Sequence, residues 1–167
     1  MIRNLTIFIF LILSTSLFSQ KLKSLTVNSL GTDAQHLGRI LDVKYISELD
    51  MYNVAGDFTS FNGFLSQNLV FLDGALNPIA NSGLQSCDGP INSIEFVKNS
   101  PTNYSLWIGG AFNTFQLNNT GTILNRNLIA ELTLTITNAS PVSFSTSVQI
   151  FNPIPLGSGT VVNDIEY

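Results

Sequence analysis

The sequence contains one cysteine, Cys87, and one histidine, His36. A single thiol closes no internal disulfide, and one imidazole with one thiol cannot assemble a zinc centre of the usual Cys/His kind. Packing alone is therefore expected to hold the fold. Charge is scarce as well: Asp, Glu, Lys and Arg make up 11% of the chain, against 44% hydrophobic residues, which excludes a disordered charged tail. The 7 basic residues form no cluster and are outnumbered by 11 acidic ones. Such a chain offers nothing to nucleic-acid phosphates or to an anionic lipid surface. Amphipathic helices are also missing after the first 19 residues. Asn, Ser and Thr supply the polarity instead, and they suit short strands and turns better than helix surfaces.

One continuous apolar run stands out. Leu5 to Leu13 is broken only by Thr6, follows Arg3, and leads into the small residues between Ser14 and Ser19. Residues 1–19 are expected to be a secretory signal peptide, cleaved before Gln20. The run is short for a bilayer span, so an uncleaved anchor is the competing reading. No cysteine lies near the cleavage point, so a lipoprotein is not expected, and no second apolar stretch of spanning length follows. Without Arg3 the net charge moves from −4 to −5. The expected location is secreted or cell-surface, with no membrane insertion by the rest of the chain.

What remains is repetitive. Ile40-Leu41-Asp42-Val43-Lys44-Tyr45 lines up with Ile91-Asn92-Ser93-Ile94-Glu95-Phe96 and with Val162-Asn163-Asp164-Ile165-Glu166-Tyr167. In each, an aliphatic and an aromatic residue flank one charge, which reads as a half-buried strand with apolar residues in and charge out. Val54-Ala55-Gly56-Asp57-Phe58-Thr59-Ser60-Phe61 matches Ile108-Gly109-Gly110-Ala111-Phe112-Asn113-Thr114-Phe115 without a gap. A third segment follows each: Asn68 to Leu72 in the first copy and Asn127 to Leu132 in the second. Leu128, Ala130, Leu132, Leu134 and Ile136 then alternate with mostly polar residues. So do Val142, Phe144, Val148 and Ile150, across a turn at Thr137 to Pro141. One repeat is expected to be four antiparallel strands. The divisions are an N-terminal segment over 20–39, a first repeat over 40–90, a second over 91–161, and the start of a third at 162–167. Asn152 to Thr160 is the expected connection.

Asp88-Gly89-Pro90-Ile91-Asn92-Ser93-Ile94, Ile108 to Phe112 and Arg126 to Leu132, in that order, resemble the delta-sixty type of β-propeller repeat. Leu72 to Pro78 is similar to the linker after that family's third segment. The likeness covers Gly38 to Tyr167, and extends to the propeller ectodomains of fungal cortical polarity-marker proteins. It departs from the pattern at Ala55 and Asp57 and along Ile150 to Thr160. The resemblance implies an all-β fold of antiparallel four-stranded blades, an incomplete β-propeller, acting as a secreted or surface scaffold. It carries over no catalytic residue. Two blades do not close a ring. The expectation is a piece of a longer chain that self-associates through an open edge and a naked blade face.

The chemistry-bearing residues stay scattered. Asp33, Ser29 and Thr32 lie near His36, but no nucleophile elbow accompanies them, and a satisfied loop histidine is the simpler reading. Asp73-Gly74 and Asp88-Gly89 suit turns better than calcium. Asp42, Asp57, Glu95, Glu131 and Asp164 are expected on solvated strand faces. Lys44 and Glu95, at matching positions, are expected to face each other on neighbouring blades. Gly109-Gly110 invites comparison with kelch propellers and galactose oxidase, but Trp107 precedes the glycines and copper ligands are missing. Asn103-Tyr104-Ser105, Asn118-Asn119-Thr120 and Asn138-Ala139-Ser140 are glycan acceptors only in a eukaryotic host. No catalytic, cofactor-binding or metal-ligating residue is assigned. The leading expectation is a non-catalytic binding module for a protein or glycan. The alternatives are a propeller enzyme, galactose-oxidase-like or a hydrolase, with its active residues in further blades, and a purely structural repeat of an adhesin or envelope protein.

Overall fold

The computed structural model describes residues 27–80, 82, 84–117, 123–125, 128–139, 142–148 and 161–166. The expected signal peptide and connection, Asn118-Asn119-Thr120 and Tyr167 lie outside them. The described strands are β1 (Arg39–Ile46), β2 (Met51–Asp57), β3 (Ser60–Phe61), β4 (Phe64–Leu65), β5 (Leu69–Asp73), β6 (Leu84–Cys87), β7 (Ile91–Lys98), β8 (Asn103–Gly110), β9 (Thr114–Leu117), β10 (Ile123–Asn125), β11 (Ile129–Ala139) and β12 (Val142–Val148). Apart from a 3-10 turn at Ser47–Leu49, no helix occurs among the described residues. The chain is all-β, and every strand pairing is antiparallel.

Two sheets form the body. Sheet one has the order β1-β2-β5 and sheet two the order β12-β11-β8-β7. Sheet two is the expected four-stranded meander, with strands close to those read from the alternation. Sheet one corrects the expectation, because it has three strands. The strand that follows it in sequence, β6, pairs with β9, and β10 completes a separate small sheet. Among the described residues the sheets close into no barrel or ring.

The two sheets share their irregularities. A bulge falls between Ile40 and Asp42 in β1 and between Ile91 and Ser93 in β7. Beside each bulge sits a glycine with no room for a side chain. A Cβ on Gly56 would lie 2.1 Å from the Arg39 carbonyl oxygen, and one on Gly110 would lie 2.1 Å from that of Pro90. Gly56 N–H donates to the Asn68 carbonyl at 3.0 Å, and Gly110 N–H to that of Leu128 at 2.9 Å. Asn68 and Leu128 both have positive φ, 62° and 69°. These bonds correct the alignment of the third segment: the counterpart of Asn68 is Leu128, not Asn127. A composition match had favoured the two asparagines, whereas the backbone bond fixes the position. Asn68 exploits its left-handed backbone locally, since its side chain accepts from Phe58 N–H and donates to the Gly89 carbonyl.

Burial follows the faces. The face of sheet two bearing Ile94, Leu106, Ile108, Ala130, Leu132 and Leu134 packs on the face of sheet one bearing Met51, Ala55, Leu69 and Phe71. Phe71 meets Phe144 edge-on across this contact at 5.0 Å. Asp42 and Lys44 lie on the same face of β1. The Lys44 ammonium reaches Glu95 at 2.8 Å, as the sequence anticipated, and this contact raises the lysine pKa. Asn53, fully buried, also stands on this face. The other face of sheet one, with Tyr52, Val54, Val70 and Leu72, packs on Phe58, Phe61 and Leu30. Its β1 row is bare: Val43 is 39% and Tyr45 50% exposed. In β1 the expected pattern is thus inverted, with the apolar residues open and the charge between sheets. The other face of sheet two is mixed, with Trp107 and Val97 beside polar residues and Val162 and Ile165 against Gly109. Its polar residues are Glu131, Thr133, Thr135, Ser143, Ser145 and Ser147, with Ser105 buried among them.

Candidate functional site

Every second turn of an antiparallel meander returns to the same end. The β1–β2 turn, the β7–β8 turn over 99–102 and the start of the β11–β12 turn therefore meet at a common rim. The β1–β2 turn is a single 3-10 turn closed by Asp50 in a left-handed conformation, φ 44°. The Ser100 hydroxyl caps the β7–β8 turn by accepting from Asn103 N–H at 3.1 Å. Between these turns lie two adjoining hollows of about 300 and 270 Å³. The larger is lined by Leu49, Pro101, Thr102, Ile136, Thr137 and Asn138, and the smaller by Tyr45, Ile46, Ser47 and Phe96. Glu48, Lys98 and Tyr104 belong to both.

Those three residues form one unit. Lys98 Nζ lies 2.8 Å from Glu48 Oε1 and 5.9 Å above the Tyr104 ring centre. The Tyr104 hydroxyl donates to Glu48 Oε2 at 3.5 Å. The Glu48 carboxylate raises the Lys98 pKa, so the ammonium stays charged across the physiological range. Both ends of the pair are half exposed, so it is worth little to stability and is open to exchange with a ligand. At the mouth of the smaller hollow the Tyr45 ring leans on Tyr52, centres 4.5 Å apart, with its other face toward solvent. Tyr45 donates to Asp50 Oδ1 at 2.9 Å, which raises its pKa and keeps the phenol neutral. An exposed aromatic face beside a carboxylate, an ammonium, hydroxyls and an amide can stack on a ligand ring and bond several hydroxyls or peptide groups.

Of the residues named in the sequence reading, Tyr45, Phe96, Tyr104, Ile136, Thr137 and Asn138 fall in this cleft. His36 is buried away from it, with Nδ1 2.8 Å from Asp33 Oδ1 and Nε2 3.3 Å from the Cys87 carbonyl oxygen. It ties the N-terminal segment to β6, and its hydrogen bond lowers the Asp33 pKa. Asp73 and Asp88 cap turns, accepting from Ala75 and Asn77 N–H and from Asn113 and Thr114 N–H respectively. Asp57 pairs with Arg39 at 3.2 Å, and Glu131 accepts from Ser105. Asn103 engages both sides of its amide, with Ser100 and Thr135. Among the described residues no three His, Cys, Asp or Glu side chains converge, and no helix is long and apolar enough to cross a membrane.

Cys87 is buried, its thiol donating to the Gly89 carbonyl at 3.1 Å, and burial pushes its pKa up to about 12. Because the folded pKa is raised, the thiol supports the fold below its ordinary range and withdraws that support as pH climbs toward 12. At neutral pH a thiol-specific disulfide reagent is expected to leave the native protein unlabelled and to find one thiol per chain in denaturant. Rapid labelling of the native protein would overturn this placement.

Glu48, Lys98 and Thr102 were not singled out by sequence reasoning, and Tyr104 and Asn138 were named only within glycan-acceptor triplets. The available signal was positional: the turns after β1 and β7 follow matching segments, so their flanking residues had to meet. No known protein family, curated protein or solved structure matches the chain.

Proposed function

We propose that the chain is a secreted or cell-surface β-repeat module of the delta-sixty propeller type, which binds a protein or glycan without transforming it. The rim cleft is its contact site. The observation that carries this reading is the pair of hollows joined at the Glu48–Lys98 ion pair beside the open Tyr45 ring. The propeller reading draws support from the matching bulges, glycines and left-handed residues of the two sheets. Export draws support from Arg3 and the Leu5 to Leu13 run.

Screening the protein against a panel of immobilised glycans and against surface proteins of its own host is expected to give a ligand. Its affinity should fall roughly tenfold or more in a Tyr45→Ala, Lys98→Met double variant, as when a stacking face and a charged hydrogen bond are both lost. Thermal unfolding close to that of the parent would confirm that the variant is folded. Equal affinity of parent and folded variant would remove the cleft from the binding surface.

A further inference from the structure

We infer that the protein assembles head to tail with a second copy of itself: the uncovered Val43 row of β1 in one molecule seats on Asp164 of the next. The inference shares only Tyr45 with the rim cleft and does not need a ligand there. The chain makes the same seating contact twice within itself. Asp42 uses both carboxylate oxygens: Oδ1 accepts from the next residue, Val43 N–H, at 2.7 Å, and Oδ2 accepts from Ile94 N–H in β7 at 2.9 Å. One step along, Ser93 Oγ accepts from Ile165 N–H at 3.1 Å. Asn92 also donates to the Val162 carbonyl at 3.0 Å. Val162 and Ile165 press so closely on Gly109 that a Cβ there would lie 2.6 and 2.7 Å from them. Strand β1, strand β7 and segment 161–166 thus stack in one direction, each seated on the one before.

Each end of this stack carries half of the same contact. At the far end, Asp164 repeats the Asp42 arrangement, with Oδ1 accepting from Ile165 N–H at 2.9 Å. Its Oδ1 also accepts from Ser93 Oγ at 3.0 Å, and no bond engages Oδ2 among the described residues. At the near end, Ile165 shows how an arriving N–H divides between its own aspartate and the preceding segment. Val43 N–H has its own aspartate and, among the described residues, no other partner. Around it Leu41, Val43 and Tyr45 form an open apolar row on a strand that, among the described residues, is paired along one edge only. The counterpart row in β7, Ile94 and Phe96, is the one that packs onto sheet one. Donor and acceptor point away from each other across β7, and a second molecule seated head to tail brings one of each together. Unlike faces make the interface heterologous, open to rings or chains.

Sedimentation of the full mature chain over a concentration series tests this. The parent is expected to grow in mass with concentration. Val43→Asp sets a carboxylate against Asp164, and Asp164→Asn removes the acceptor while keeping Oδ1. Each should weaken assembly roughly tenfold or more, as for a hydrogen bond to a charged group, with thermal unfolding near that of the parent. Each variant retains one sound face. An equimolar mixture is therefore expected to form dimers at concentrations where either alone is monomeric. A parent that stays monomeric would overturn the inference and assign the row to another occupant, such as a segment within residues 1–26. So would variants that assemble like the parent, or a mixture that stays monomeric.

Discussion

Replacing Phe112 by alanine is expected to cost about 3–5 kcal/mol of folding stability. The ring is fully buried where the chain leaves β8, and it meets Phe115 nearly at right angles, centres 5.9 Å apart. The backbone around it is committed, since its carbonyl accepts from Leu128 N–H at 2.8 Å and its Cα lies against Gly89. The site therefore cannot collapse onto the cavity, which places the cost in the upper part of the range for large core truncations. Phe58 and Phe61 make the same kind of pair at 6.2 Å in sheet one's own cluster. A Phe115→Ala change should cost less in the Phe112→Ala background than alone, by about 0.5–1.5 kcal/mol for the lost ring pair. Denaturant midpoints of the two single variants and the double variant measure this. A midpoint that Phe112→Ala leaves unmoved would contradict the placement of the ring in the core.

Gly110→Ala is expected to destabilise by about 3 kcal/mol, the upper end of overpacking. Its new methyl would meet main chain only: the Pro90 carbonyl oxygen at 2.1 Å and the Ile91 Cα at 3.0 Å. A side chain could rotate away, but this carbonyl is held by Ala111 N–H at 2.9 Å. Relief requires parting β7 from β8 at the bulge. Gly56→Ala meets the Arg39 carbonyl oxygen and the Ile40 Cα at nearly the same distances and should cost a similar amount. Chemical denaturation of both variants checks the parallel. A large loss in one with none in the other would show that the two sheets are not built on the same bulge.

The paired glycines were legible because a close backbone approach admits one residue type, and composition alone then marks the position. The strands of sheet two were legible because β11 from Ala130 to Ile136, and β12, alternate between a packed face and a more polar one. Sheet one was less so. Its β2 and β5 are buried nearly throughout, so Met51 to Asp57 carries no alternation to count. The partner of β6 could not be read at all, since four residues joining a hairpin more than 25 positions away leave no local period. The Asn68 alignment failed because a left-handed backbone accepts asparagine readily but does not demand it, and Leu128 adopts the same φ. The rim cleft was hidden because its members come from three turns, each ordinary by itself.

The bulges at Leu41 and Asn92 also govern how this sequence can change. In an unbroken strand, residues two apart share a side; here Ile40 and Asp42 do not, while Ile40 and Val43, three apart, do. Each bulge is a one-residue phase slip, and Val162 and Ile165, both against Gly109, keep the same interval of three. Deleting Leu41 would restore the ordinary count, so that everything before it would point the opposite way. A two-residue change keeps parity and a one-residue change does not. Length variation in this stretch is therefore quantised: tolerable in even steps, and otherwise an inversion of what touches the neighbouring sheet and what touches water.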